Sequence, residues 1–247
     1  MIDLHCHLLP GVDDGPEGLG ESLALARLAC QNGITHAVVT PHIHSGRYEN
    51  SASSIAEACR CLRAELEAEQ IALELGFAGE VRLSAEIMGM VERGEIPFIG
   101  ERDGYQIMLL EFPHSHIVPG ADKLVRWLLD RGIRPMIAHP ERNKEIMRKP
   151  DRLQPFIEMG CLLQLTAASV AGDFGAAAQA VALQLLEQGV VSVLASDAHN
   201  LQHRPPNLEP GRAAAAQVLG EDASWRLVRD MPMSLVASQF QQFQFQQ

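Results

Sequence analysis

His5 and His7 stand one residue apart in the opening stretch Met-Ile-Asp-Leu-His-Cys-His, and Asp197 and His199 repeat that spacing in Ser-Asp-Ala-His. Alternate residues of a strand face the same way, so each pair can offer two ligand atoms to one ion. Groups of the same chemistry stand singly at His42 after Thr40-Pro41, Glu80 after Gly79, Glu111 after Leu110 and His139 after Ala138. Imidazoles and carboxylates without converging thiolates suit Mn, Fe, Zn or Co better than a soft-metal or structural cysteine site. Acids crowded into one pocket stay ionised side by side only when cations sit between them. One such residue alone is most often an ordinary hydrogen-bonding group, so the inference to a metal centre rests on the set.

The elements that must position this set are strands. Short apolar runs rich in β-branched residues recur near Met1–Cys6, Thr35–Thr40, Leu73–Ala78, Gln106–Glu111, Ile133–Ala138, Cys161–Thr166 and Val190–Ser196. Amphipathic patterns such as Glu21–Asn32, Ser54–Gln70, Asp122–Asp130 and Gly175–Gln188 lie between them and read as helices. Gly33, Gly132, Gly160 and Gly189 fall where a helix stops and a strand begins, the usual place for a left-handed residue. Strands alternating with helices predict an α/β fold on a parallel sheet, open or closed into a barrel. Six of the seven runs end in His, Asp or Glu. The carboxyl ends of parallel strands form a functional rim, so these residues would converge in space.

The chain has 247 residues and a formal net charge of −11, with 47% hydrophobic and 21% charged residues. That profile fits one globular domain and excludes disorder as the dominant state. It also excludes nucleic-acid binding by bulk charge, which needs a basic footprint. The five cysteines (Cys6, Cys30, Cys59, Cys61 and Cys161) lack a framework spacing and read as reduced thiols of a cytoplasmic protein. Cys6 should face away from His5 and His7, and Cys59 and Cys61 should point to different sides of a helix. No basic leader or membrane-length apolar run is visible, so no direct membrane insertion is expected. A cysteine phosphatase needs arginine six positions after its cysteine; Val12, His36, Glu65, Glu67 and Ala167 stand there instead.

Taken in order, the motifs Met1-Ile-Asp-Leu-His-Cys-His-Leu8, Val12-Asp-Asp-Gly-Pro16, Thr40-Pro-His-Ile43, Gly79-Glu-Val-Arg-Leu83, Leu110-Glu-Phe-Pro-His114, Ile137-Ala-His-Pro-Glu-Arg-Asn143 and Leu194-Ala-Ser-Asp-Ala-His-Asn-Leu201 resemble the PHP (polymerase and histidinol phosphatase) superfamily. More closely, the chain is similar to the bacterial protein-tyrosine phosphatases of capsule and exopolysaccharide synthesis. The resemblance implies a distorted (β/α)7 TIM-like barrel holding three divalent ions, usually Mn²⁺, with Fe, Zn, Co or Mg as alternatives. The implied ligands are His5, His7, Asp14, His42, Glu80, Glu111, His139, Asp197 and His199. Arg142 and Arg204 match the phosphate-contacting positions. Asp14 is preferred to Asp13, and Glu80 to Glu86, because each keeps its place beside the motif glycine. The segment from Glu80 to Glu111 is a few residues longer than the family pattern, which bears on substrate access around Met88–Arg102 rather than on the metals.

The implied reaction is metal-assisted hydrolysis of a phosphomonoester, with the phosphotyrosine tail of a bacterial tyrosine autokinase as substrate. Histidinol phosphate or another small molecule is the alternative substrate, and a catalytically silent metal-binding module the alternative of a different class. His44, His114, His116 and His203 fall in rim loops; His44, His116 or His203 could donate a proton to an aliphatic leaving group. His36, inside a strand pattern, reads as a core histidine. Residues 1–237 are expected to form the phosphatase domain. The Gln/Phe-rich stretch 238–247 reads as a tail that frays, or else docks on a neighbour. Oligomeric state is left open.

Overall fold

A computed structural model describes residues 1–240 of the chain. Its strands are β1 (Ile2–Cys6), β2 (His36–Val39), β3 (His42–Ile43), β4 (Glu74–Phe77), β5 (Glu80–Arg82), β6 (Gly100–Arg102), β7 (Tyr105–Glu111), β8 (Ile133–Ala138), β9 (Leu162–Thr166) and β10 (Val193–Ala195). Each of the seven expected strands is present. The added ones are short. β2 and β3 are two halves of one stave interrupted at Thr40-Pro41, where proline has no N–H to give to a ladder. β4 and β5 are likewise halves of one stave, interrupted at Ala78-Gly79.

The two interrupted staves run side by side, β2 pairing with β4 and β3 with β5, both parallel. β1 lies beside β2, and β5, β7, β8, β9 and β10 follow in parallel order. The ring returns to its start through two backbone hydrogen bonds of 2.8 Å, from Asp197 N–H to the His5 carbonyl and from His7 N–H to the Ala198 carbonyl. Seven staves therefore make the distorted (β/α)7 barrel that the family resemblance implies. β6 runs antiparallel along the lower part of β7, below the level where β5 pairs.

Inside the ring, Ile2, Leu4, Val38, Ile107, Leu109, Met136 and Val193 pack as one apolar cluster. A larger layer, including Leu25, Leu62, Val125 and Leu185, fills the space between staves and surrounding helices. In β1 the step from Asp3 to Cys6 is matched by only Ala37 to Val39 in β2, so β1 carries a bulge. The bulge shifts the alternation: Ile2 and Leu4 fill the barrel interior while His5 and His7 still reach its mouth. Gly33, Gly132, Gly160 and Gly189 have φ of 77°, 72°, 83° and 67°, the left-handed geometry expected of helix ends.

The bottom of the barrel is closed by the helix Met231–Phe240, whose Leu235, Val236 and Phe240 join the interior cluster. The helix carries straight through the boundary expected at residue 237, and Gln239 bonds the backbone of Phe77 and Ile99. Residues 241–247, the remainder of the expected tail, lie outside the described residues. His36 departs from the expectation of a core histidine: it is half-buried at the start of β2, bonded to the Thr35 hydroxyl, with its ring edge-on to Phe240 at 5.0 Å. Among the described residues, no helix is long and apolar enough to cross a membrane.

The closing helix sits so close to β6 that a Cβ on Gly100 would overlap the carbonyl of Leu235. Gly100→Ala is therefore expected to push the helix off the barrel floor and destabilise the fold by about 1–3 kcal/mol. Thermal unfolding checks this: a midpoint several degrees lower is expected, and an unchanged midpoint would mean that the contact is soft.

Candidate metal centre

The mouth of the barrel gathers all nine expected ligands. His5 and His7 rise from β1, His42 begins β3, Glu80 begins β5, Glu111 ends β7, and His139, Asp197 and His199 follow β8 and β10. Asp14 comes from the loop after β1. Ligand atoms within 4.8 Å of one another form four overlapping groups: His7, Asp14, His42 and His199; His5, His7 and Glu80; His5, His139 and Asp197; His42, Glu80 and Glu111. Glu80 is the hub. Its two carboxylate oxygens lie 2.8 Å from His139 Nε2, 2.8 Å from His42 Nδ1, 3.3 Å from His5 Nε2 and 3.4 Å from His7 Nε2.

The imidazole tautomers follow from the outer partners. His5 Nδ1 donates to Gln164 Oε1 at 2.9 Å, His7 Nδ1 to Asp13 Oδ2 at 2.6 Å, and His199 Nδ1 to the Asp197 carbonyl at 3.0 Å. Each of these rings is left with a lone pair on Nε2, aimed inward. The two Nε2 atoms of His5 and His7 are 3.2 Å apart. Two lone pairs facing each other at that distance repel unless a cation or proton lies between them. Glu80 Oε2, Asp197 Oδ1 and His199 Nε2 are buried without a hydrogen-bond partner among the described residues. Buried polar atoms are seldom left so, and these three are acceptors that meet at the barrel mouth. The donor set fits divalent cations.

Backbone strain marks the same place. Among the described residues, four non-glycine positions have positive φ, and two of them are His139 at 32° and Asp197 at 53°. Such conformations cost about 1–3 kcal/mol each and persist where the surroundings enforce them. At both positions the turn re-aims a side chain at the end of its strand toward the barrel mouth.

The charges are balanced without any ion only by loading the rings with protons. Burial opposes ionisation of Glu80, but the charges of His5 and His42 and the hydrogen bond from His139 outweigh it and hold the carboxyl well below the usual range. Asp197 is held low, against its own burial, by His5, Arg204 and Arg142. Burial disfavours a charged His42, yet Glu80 and Asp14 raise it to about 10, and Asp13 raises His7 well above its ordinary value against a similar penalty. His199 is the exception, lowered to about 4 by burial and by the neighbouring charge of His7.

Arg142 and Arg204 both donate to Asp197 Oδ2. Arg142 leaves a 3₁₀ turn, Pro140–Arg142, and lies with its guanidinium carbon 4.5 Å from the Phe174 ring centroid. The pocket they share with the ligands has a volume of about 190 Å³, and Arg47, Arg82, His44, His114 and Tyr48 complete its lining. His44 and His114 thus reach it. His116 instead bonds the Ser115 hydroxyl in an exposed loop, and His203 is exposed beside Arg204 over a smaller neighbouring cavity.

Cys6 is fully buried with its thiol on the Val38 carbonyl, away from the ligands, and Cys59 is buried while Cys61 is exposed. Glu86 is exposed, and Asp14 rather than Asp13 stands between His42 and His199, at 3.2 and 3.4 Å. From the sequence no role was assigned to Asp13, Gln164, Tyr48, Arg47 or Arg82, although Asp13 was weighed against Asp14. Asp13 accepts from His7 Nδ1 and from the N–H of His42 and Gly15. Its signal was its pairing with Asp14, which invited a choice between the two when both are used. Tyr48 stacks on His42 with centroids 5.5 Å apart and 12° between planes. Arg82 pairs with Glu111 at 2.8 Å, and the Glu80-x-Arg82 spacing on one strand face was the available sign.

Outer partners of metal-bound histidines tune affinity by about 10–100-fold. Asp13→Ala is expected to weaken divalent-metal binding by that factor while the fold persists. Metal titration followed by calorimetry checks this; unchanged affinity would remove Asp13 from the centre.

A sequence model of the capsular polysaccharide synthesis family CpsB/CapC matches residues 1–237. The chain belongs to this family. It is 33% identical to the tyrosine-protein phosphatase YwqE of Bacillus subtilis over 95% of this chain and 91% of that one. It is 35% identical to the putative tyrosine-protein phosphatase CapC of Staphylococcus aureus over 83% and 79%. Among solved structures it superposes with a TM-score of 0.88 and 33% identity, over 97% and 95% of the two chains, on one from a study of YwqE of B. subtilis and CpsB of Streptococcus pneumoniae, described there as unique metal-dependent tyrosine phosphatases.

Proposed function

We propose that the protein is a metal-dependent protein-tyrosine phosphatase that holds three divalent ions, Mn²⁺ foremost, on His5, His7, Asp14, His42, Glu80, Glu111, His139, Asp197 and His199. The observation that carries this reading is the set of inward lone pairs on His5, His7, His199, Glu80 and Asp197, adjoining two arginines in a family with named tyrosine phosphatases. When bound, the ions supply Lewis acidity to phosphoryl oxygens and an activated water.

The protein's own groups do the rest. Arg142 and Arg204 converge on one point above Asp197, where their guanidinium donors can hold the equatorial oxygens that carry transition-state charge. Asp13, Gln164 and the Asp197 carbonyl keep the imidazoles turned inward. A phenolate with a parent pKa of about 10 leaves with little proton assistance. His44 or His114 at the pocket edge would serve a poorer leaving group. The substrate we infer is phosphotyrosine on the disordered tail of a tyrosine autokinase that governs polysaccharide export, and the working compartment is the cytoplasm.

With Mn²⁺ supplied, a phosphotyrosine peptide is expected to be hydrolysed with far higher kcat/KM than histidinol phosphate. The reverse order by orders of magnitude would make the protein a small-molecule phosphatase. Hydrolysis of neither would leave a silent metal-binding module.

A further inference from the structure

A second cavity of about 430 Å³ lies on the flank of the same rim, walled by Leu83, Ala85, Met88, Val118, Leu124 and Trp127. It is apolar where the metal pocket is charged. Met88 on its edge is 41% exposed, one of four exposed large hydrophobic side chains among the described residues. Both walls grow out of the metal pocket. One begins at Leu83, the residue after Arg82 of β5, and the other follows Glu111 of β7 through His114 to Val118 and the helix Ala121–Leu129.

We propose that this groove binds an apolar side chain of the polypeptide substrate, a few residues from the phosphotyrosine. The inference rests on the phosphatase reading above and extends it to peptide selection. The metal pocket, at about 190 Å³, is small beside a peptide. Binding energy for the rest of a peptide must come from outside it. Strand residues advance about 3.3 Å, so Leu83, just past the end of β5, lies about 10 Å from Glu80, and an extended peptide covers that distance in about three residues. An apolar side chain at that spacing reaches the groove while its phosphate reaches the arginines. Apolar pockets flanking a polar centre are a common way to anchor an extended chain. The segment between Glu80 and Glu111 supplies the Ala85 and Met88 side of the wall, so it shapes substrate choice and leaves the ligands in place.

The test uses the Mn²⁺-loaded protein and three substrates: p-nitrophenyl phosphate, a phosphotyrosine peptide with Leu three positions to either side, and the same peptide with Asp there. The expected result is a five- to tenfold higher kcat/KM for the Leu peptide, carried by KM, with that preference lost in Met88→Glu and Val118→Asp. Turnover of p-nitrophenyl phosphate should stay at the wild-type level in both variants, which shows that fold and metals are intact. Equal rates on the two peptides in the wild type, or a preference that survives both substitutions, would overturn the groove assignment alone. A change in molecular mass without a change in preference would make the groove a contact between copies and overturn it too. Failure to hydrolyse any of the three would overturn the phosphatase reading and this inference with it.

Discussion

Replacing Glu80 by Gln is expected to reduce phosphatase activity by about 10³-fold or more and to release metal. Glu80 is fully buried and lies within 3.4 Å of four imidazoles, so it joins the two halves of the centre. The substitution keeps the size and one acceptor oxygen but removes the negative charge that offsets closely packed cations. Lewis-acid stabilisation of a phosphoryl group amounts to several kcal/mol, and each 1.36 kcal/mol is about tenfold in rate. The metal-free protein should stay folded, because the barrel interior and the outer apolar layer do not depend on Glu80. Elemental analysis beside the kinetic assay separates the effects: a variant with full metal content and full activity would remove Glu80 from its central place.

The second large effect is expected at Arg142 and Arg204, and of a different kind. Arg142→Ala or Arg204→Ala should lower kcat/KM by about 10²-fold, the typical loss when one donor to developing negative charge is removed. Metal content should be retained, since neither guanidinium can ligate a cation. Arg142→Lys should recover little, because an ammonium cannot reproduce the flat, two-pronged donor set. Inhibition by inorganic phosphate should weaken in parallel. If instead both variants lose metal, the arginines act by neutralising Asp197, whose carboxylate both touch, and their contact with substrate would be refuted.

Why these residues could be read from the chain, and others could not, has a physical basis. Ligands at strand ends are legible because strand periodicity is short and the functional rim of a parallel barrel is fixed by topology. His5 and His7 needed only alternation, and Asp197-x-His199 only the same rule. The glycines at helix ends spoke for themselves through a conformation that other residues resist. The interruptions at Thr40-Pro41 and Ala78-Gly79, which split two staves, were visible as residues but not as geometry. The bulge in β1 was hidden altogether, since nothing in Asp3–Cys6 marks an extra residue against β2.

Outer partners were harder still. Gln164 sits inside β9, the one stave whose end carries no His, Asp or Glu, and it meets His5 only after the barrel closes. His36 went the other way: a polar residue in an apolar run suggested burial, but it stands at the first position of its strand, where solvent reaches it. Ser238–Phe240 looked like the start of a loose tail by composition. Packing of Phe240 under the barrel, which no local signal announces, makes them part of the floor.

The measurement that bears most directly on the centre is an anomalous-difference map, recorded at the manganese absorption edge, from crystals of the Mn²⁺-loaded protein. Three peaks are expected at the barrel mouth, within coordination distance of His5, His7, Asp14, His42, Glu80, Glu111, His139, Asp197 and His199. No peak there, or metal held by other residues, would contradict the assignment of these nine side chains to a three-ion centre.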